Sequence, residues 1–173
     1  LRPLFLSAAD LTVDEVRVAA DEPSNTEAAI TVGAGAGAVL TGVSVDGTWD
    51  GRALNVLFNS LGAAVRDSEL RSNALGTVYS SRRPLTIERT TITSTRADGV
   101  GVQVDQAPLT IDSSLITGGT VGVRVSEGNG DERTHVIRDS TIDVGTPGVS
   151  DAGGAATSVQ VWGDATRATV RAT

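Results

Sequence analysis

A six-residue pattern recurs through this chain and restricts its fold more than any other feature. It runs aliphatic, polar, polar, Ser or Thr, variable, aliphatic: VRDSEL at 65–70, IERTTI at 87–92, IDSSLI at 111–116 and IRDSTI at 137–142. Weaker copies, VDEVRV at 13–18 and LTGVSV at 40–45, precede these, and a degenerate copy begins near Val170. From residue 13 to residue 137, successive copies start 22–27 residues apart. Self-similarity at such a period marks a stacked-repeat architecture, in which no single unit can bury its own apolar face.

The spacing inside the pattern carries geometry. In one straight strand, residues five apart face opposite sides. Both aliphatics can face one core only if the chain turns between them, so the Asp-Ser, Arg-Thr and Ser-Ser pairs mark a corner. A second element lies about nine residues upstream: LGTVY at 75–79, GVGVQV at 99–104, TVGVRV at 120–125 and SVQVW at 158–162. These alternate with period two, as half-buried strands do. Each unit is then an alternating strand, a turn, a short strand, a polar corner and another short strand. No segment shows the 3.6-residue apolar stripe of a helix.

This arrangement resembles the right-handed parallel β-helix, the solenoid of pectate lyases and their relatives. The resemblance covers nearly the whole chain. It implies an all-β fold of three parallel sheets, here six to seven coils of roughly 22–27 residues. It also implies a ladder of Asn, Ser or Thr at the tight corner, which Ser68, Thr90, Ser114 and Ser140 would form. Residues 1–173 read as a single β-helix domain. The chain opens directly on the apolar LRPLF without an initiator Met, as expected of a piece of a longer chain whose flanking domains would be its nearest partners.

Composition agrees and excludes several functions. Hydrophobic residues make up 39% but aromatics only 3%, so the core must be aliphatic. Without cysteine there is no disulfide framework and no thiolate metal site. A net charge of −7 argues against nucleic acid and anionic membranes as partners. No apolar run approaches membrane-spanning length. The expected setting is secreted or displayed on a bacterial cell surface.

The stretch TVGAGAGAVLTG at 31–42 meets the spacing of a dinucleotide-binding loop at Gly33, Gly35 and Ala38. That loop must open a helix whose N-terminus holds the pyrophosphate. Here Val39–Asp46 is β-branched and alternating, a strand pattern ending in an Asp46-Gly47 turn. The glycines are therefore expected to form a turn equivalent to SRRP and DQAP two and three coils later.

In the enzymes of the resembled family the cleft runs along the sheet matched here to the alternating strands. With Val100, Val102 and Val104 inward, the outward residues are Gly101 and Gln103, Gly122 and Arg124, Thr77 and Tyr79, and Gln160 and Trp162. This face lacks the paired carboxylates of a glycoside hydrolase and the Asp cluster that would hold Ca²⁺ for a lyase. The Asn-Thr-Asp, Asp-Asp and Gly-His-Gly signatures of polygalacturonases and the Asp-His pair of pectate lyases do not occur. A nucleophilic triad is not expected either, with one His and no Gly-x-Ser-x-Gly elbow.

Candidate binding residues are Trp49, Tyr79, Gln103, Arg124, Gln160 and Trp162. Aromatics with a polar edge stack on sugars, although packing under loops as local caps is the favoured reading of both Trp residues. His135 reads as a surface or corner residue, Asp105 as a solvated turn residue, and Arg82-Arg83 as a solvated corner rather than a site for a carboxylated sugar. The loop EGNGDE at 127–132 could hold Ca²⁺ weakly but lacks the alternating Asp spacing of a calcium loop. No catalytic residue, resident metal or cofactor is assigned. The expected function is a non-catalytic stalk or recognition segment, with a polysaccharide or cell-surface glycan as partner along one face. The alternative is part of a carbohydrate-active enzyme, a lyase, hydrolase or uronate epimerase.

Overall fold

The computed structural model describes residues 4–20, 28–47, 51–126, 133–144, 157–162 and 167–171. The strands come in triplets, one per coil. The first coil holds β1 (Leu4–Leu6), β2 (Leu11–Asp14) and β3 (Arg17–Ala20), and the second β4 (Ile30–Val32), β5 (Gly37–Thr41) and β6 (Ser44–Gly47). The third holds β7 (Leu54–Val56), β8 (Gly62–Arg66) and β9 (Glu69–Ser72), and the fourth β10 (Gly76–Ser81), β11 (Leu85–Glu88) and β12 (Thr91–Ser94). The fifth holds β13 (Val100–Asp105), β14 (Leu109–Asp112) and β15 (Leu115–Gly118), and the sixth β16 (Val121–Ser126), β17 (Thr134–Arg138) and β18 (Thr141–Asp143). Strands β19 (Thr157–Trp162) and β20 (Arg167–Arg171) continue the stack.

The first strands of successive coils form one parallel sheet of seven (sheet A), the second a sheet of seven (sheet B), and the third a sheet of six (sheet C). The protein is thus an all-β parallel solenoid, with no helix among the described residues. Five full turns separate β1 from β16, slightly fewer than the six to seven coils expected, and β17–β20 extend the stack.

Both aliphatics of the repeat face the core. Val65, Leu70, Ile87, Ile92, Ile111 and Ile116 are all fully buried. Each stacks on its equivalent: Val65, Ile87, Ile111 and Ile137 in sheet B, and Leu70, Ile92, Ile116 and Ile142 in sheet C. Every such side chain contributes roughly 1.5–3 kcal/mol of burial before entropy is counted.

The corner between sheets B and C explains the polar half of the pattern. The third residue of the pattern is left-handed in every copy described: Glu15, Gly42, Asp67, Arg89, Ser113 and Asp139 have φ between 45° and 62°, with Val following the first two and Ser or Thr the other four. The following hydroxyl then points along the solenoid axis. Ser68 Oγ accepts the Val43 N–H at 3.0 Å, Ser114 Oγ accepts that of Thr90 at 3.2 Å, and Ser140 Oγ accepts that of Ser114 at 3.1 Å. A longer contact of 3.4 Å joins the Ser68 N–H to Thr90 Oγ1. Each hydroxyl donates in turn to the carbonyl two residues back, on Arg66, Glu88, Asp112 and Arg138. The expected ladder of Ser68, Thr90, Ser114 and Ser140 is continuous.

The other tight corner, from sheet A to sheet B, is also left-handed. Its φ values are 54° at Asp10, 71° at Gly35, 58° at Arg82 and 53° at Gln106. The glycine stretch is therefore a turn between β4 and β5, equivalent to SRRP and DQAP, and a strand follows it.

Sheet A departs from simple alternation. Its register pairs Gly76 with Val100 and Val78 with Val102, passing over Thr77 and Gly101. The chain kinks there, so Gly76–Val78, Val100–Val102 and Val121–Val123 are each buried at all three positions. Thr77, Gly101 and Gly122, expected to point outward, are thus interior. A Cβ at Gly101 would lie 2.5 Å from Ile116 Cγ2 and 2.7 Å from the Gly122 carbonyl oxygen. The kink turns this position toward sheet C, where only a small residue fits.

Candidate functional site

Beyond the kink, sheet A alternates as expected and displays an outward ladder. Asn55, Tyr79, Gln103 and Arg124 occupy consecutive rungs. Parallel neighbours stand about 4.8 Å apart, so the ladder runs along the solenoid axis. Two residues further along each strand, Ser81, Asp105 and Ser126 form a second column.

Tyr79 and Asp105 join the two columns. The Tyr79 hydroxyl donates to Asp105 Oδ2 at 2.7 Å. Gln103 Nε2 approaches Asp105 Oδ1 at 3.4 Å. Tyr79 reaches its diagonal neighbour because its side chain spans one rung and two residues, the reach that aromatic side chains have in a sheet. Arg52, just before β7, places its guanidinium 4.0 Å from the centre of the Tyr79 ring. That cation–π contact fixes the ring while Asp105 fixes its hydroxyl.

The electrostatics follow from this packing. Partial burial pushes the Tyr79 hydroxyl above its usual range, and its bond to Asp105 pushes it further; Ser81 and Arg52 oppose this. Burial pulls the Arg52 guanidinium down, while Tyr79 and Asp105 hold it up. Tyr79 is thus held from two sides, its ring by Arg52 and its hydroxyl by Asp105. One rung away, Asn55 Oδ1 is buried and accepts no hydrogen bond. An unpaired buried acceptor is costly.

The structure thus brings together Tyr79, Gln103 and Arg124 of the candidate set. Strand β19 sets Gln160 beside Arg124 and Trp162 beside Ser126 in backbone register, but their side chains lie outside the described residues. Trp49 and the loop 127–132 lie outside them as well. Two expectations are corrected. Asp105 is no isolated turn residue, since two neighbours hydrogen-bond to it. His135 is neither at the surface nor in a corner: it is 2% exposed and points inward in sheet B, next to Leu109.

Arg52 and Asn55 belong to the cluster without having been singled out. Asn55 was open to discovery, because it occupies the same repeat position as Tyr79 and Gln103. Arg82 is exposed at its corner, and Arg83 Nε donates to the Phe58 carbonyl at 2.6 Å. Among the described residues, no group of three or more His, Cys, Asp or Glu side chains could hold a metal ion.

No known protein family, curated protein or solved structure matches this chain.

Proposed function

We propose that this chain is a non-catalytic recognition segment of a right-handed, pectate-lyase-like solenoid, secreted or displayed on a bacterial surface, that binds a polysaccharide along the outward face of sheet A. The observation that carries the reading is the Arg52–Tyr79–Asp105 cluster, beside the unpaired acceptor of Asn55 and in line with Gln103 and Arg124. Sugars present hydroxyl donors, hydroxyl acceptors and an apolar C–H face. The ladder and Asp105 beside it offer carboxylate and amide acceptors, amide and guanidinium donors, and a half-buried aromatic. Its repeat along the axis suits an extended polymer whose sugar units recur at a similar spacing.

A carbohydrate-active enzyme is the second reading, favoured by two ionisable groups, Tyr79 and Asp105, within hydrogen-bond reach. The raised Tyr79 pKa weighs against it, because a phenol held protonated is a poor base near neutral pH. Asp105 is committed to holding Tyr79 and Gln103.

Titration calorimetry against a panel of polysaccharides, with and without Ca²⁺, tests both readings. The expected result is saturable binding to one glycan class, weakened about tenfold or more by Tyr79→Ala, equivalent to about 1.4 kcal/mol. Trp162→Ala tests the next column. Absence of binding across the panel would overturn the recognition reading, and cleavage of a bound polymer would favour the enzyme.

A further inference from the structure

We infer that the chain forms an antiparallel homodimer through the outward face of sheet B and its corner with sheet A, across coils one to four. This surface is separate from the outward ladder of sheet A and does not depend on its ligand.

The apolar surface is concentrated here. Among the described residues, Phe5, Phe58 and Leu61 are the most exposed large hydrophobics, each 58–59% exposed. Phe5 and Leu61 flank the glycine turn on its two sides: a Cβ at Gly33 would overlap the Phe5 ring, and one at Gly37 would lie 3.5 Å from Leu61 Cβ. The turn is thus a shallow trough of small residues beside a ridge made by Phe58 and Leu61. Next to the ridge an open groove of about 450 Å³ crosses sheet B, lined by Thr12, Val39, Ala64, Thr86, Leu61 and Pro84 among others. Apolar surface gathered in this way marks an interaction site.

The occupant follows from the order of residues along the solenoid. Consider a two-fold axis lying in the interface, perpendicular to the solenoid axis, between coils two and three. It places coil one against coil four of the second copy and coil two against coil three. The groove floor runs Thr12, Val39, Ala64, Thr86 over coils one to four. Under this operation Thr meets Thr, and Val39 meets Ala64. The Leu61 ridge of coil three meets the glycine trough of coil two. The charges match as well. Asp10 of coil one comes opposite Pro84 of coil four, next to Arg82 and Arg83. All three charged residues lie on the same corner, and none forms an ion pair among the described residues. The patch is therefore complementary to itself in shape and in charge, the requirement of an isologous interface. At the far end of these strands, Asp14 would oppose Glu88, but Arg66 already holds Glu88 at 3.0 Å.

Sedimentation equilibrium of the 173-residue chain tests this directly. The expected species is a dimer. Leu61→Arg, Asp10→Arg and Arg82→Asp should each weaken dimerisation at least tenfold while leaving the thermal melt of the monomer cooperative. All three positions are exposed, so the fold should survive substitution. The double variant Asp10→Arg/Arg82→Asp should recover most of the affinity lost by either single change. A wild-type monomer at the highest soluble concentration would overturn the proposal, as would a dimer indifferent to Leu61→Arg. Failure of the double variant to recover would overturn the antiparallel register.

Discussion

Removing one hydroxyl from the corner ladder should have a cost that the structure allows to be worked out. Ser68 Oγ is the only hydrogen-bond acceptor the structure shows for the Val43 N–H, and both residues are buried. The Arg66 carbonyl, which the hydroxyl also reaches, keeps a second donor in the Gly42 N–H at 3.1 Å. Ser68→Ala therefore orphans one buried donor and no acceptor. An unsatisfied buried amide costs about 1–3 kcal/mol. For a chain of this size, a loss of about 2 kcal/mol lowers the melting temperature by roughly 4–8 °C. Because the defect sits at one rung, hydrogen exchange is the sharper assay: the Val43 amide should lose protection. Ser68→Thr, which keeps the hydroxyl as Thr90 does one coil later, should restore both. A Ser68→Ala protein with unchanged melting and a protected Val43 amide would refute the view that these hydroxyls stabilise the corner.

Other expectations concern glycine and charge. Gly101→Ala should cost about 1–3 kcal/mol by overpacking against Ile116 and the Gly122 carbonyl, read as a fall in denaturant midpoint. Gly35→Ala should cost only about 1 kcal/mol, since its left-handed φ is disfavoured but no atom lies within 4 Å of the added carbon. Stability should also fall in acid. The hydrogen bonds from Arg89 and Arg138 hold the Asp67 and Asp112 carboxyls below their usual range. That contribution is present above the unfolded-state value and is lost as pH falls through the folded one, below about pH 4. Melts of Arg89→Gln and Arg138→Gln should show a shallower acid limb and less sensitivity to salt.

Much of the fold was legible because the corner imposes a local requirement in every coil. A left-handed residue followed by a hydroxyl and flanked by two inward aliphatics leaves a pattern that survives changes of residue. Asp67, Arg89, Ser113 and Asp139 differ chemically, yet all take the same φ. Gly42 takes it too, which is why the weak copy LTGVSV belongs to the series. The kink in sheet A was not legible. Period-two alternation assigns each residue a side but cannot register a skipped pair, so Thr77, Gly101 and Gly122 were placed on the wrong face. His135 was missed for a different reason. The repeat aligns it with Leu85 and Leu109, both interior, but its polarity outweighed its position.

The candidate site divides along the same line. Register along a solenoid is a sequence property, so Tyr79, Gln103 and Arg124 could be placed on one outward ladder from spacing alone. The contacts that give the ladder chemical character are diagonal or come from outside the strand. Tyr79 bonds Asp105 across one rung and two residues, and Arg52 reaches the ring from the segment before β7. Neither distance is fixed by the repeat period; both depend on side-chain length and on where a loop delivers the chain. Asp105 also sits at the end of its strand, where a carboxylate ordinarily reads as a solvated turn. Its role appears only when the neighbouring coil supplies a phenol within reach. If so, Tyr79→Phe should release Asp105 and weaken glycan binding nearly as much as Tyr79→Ala, although it keeps the ring. A Tyr79→Phe protein that binds as tightly as wild type would show that the ring alone matters, and that the hydrogen bond to Asp105 only orients it.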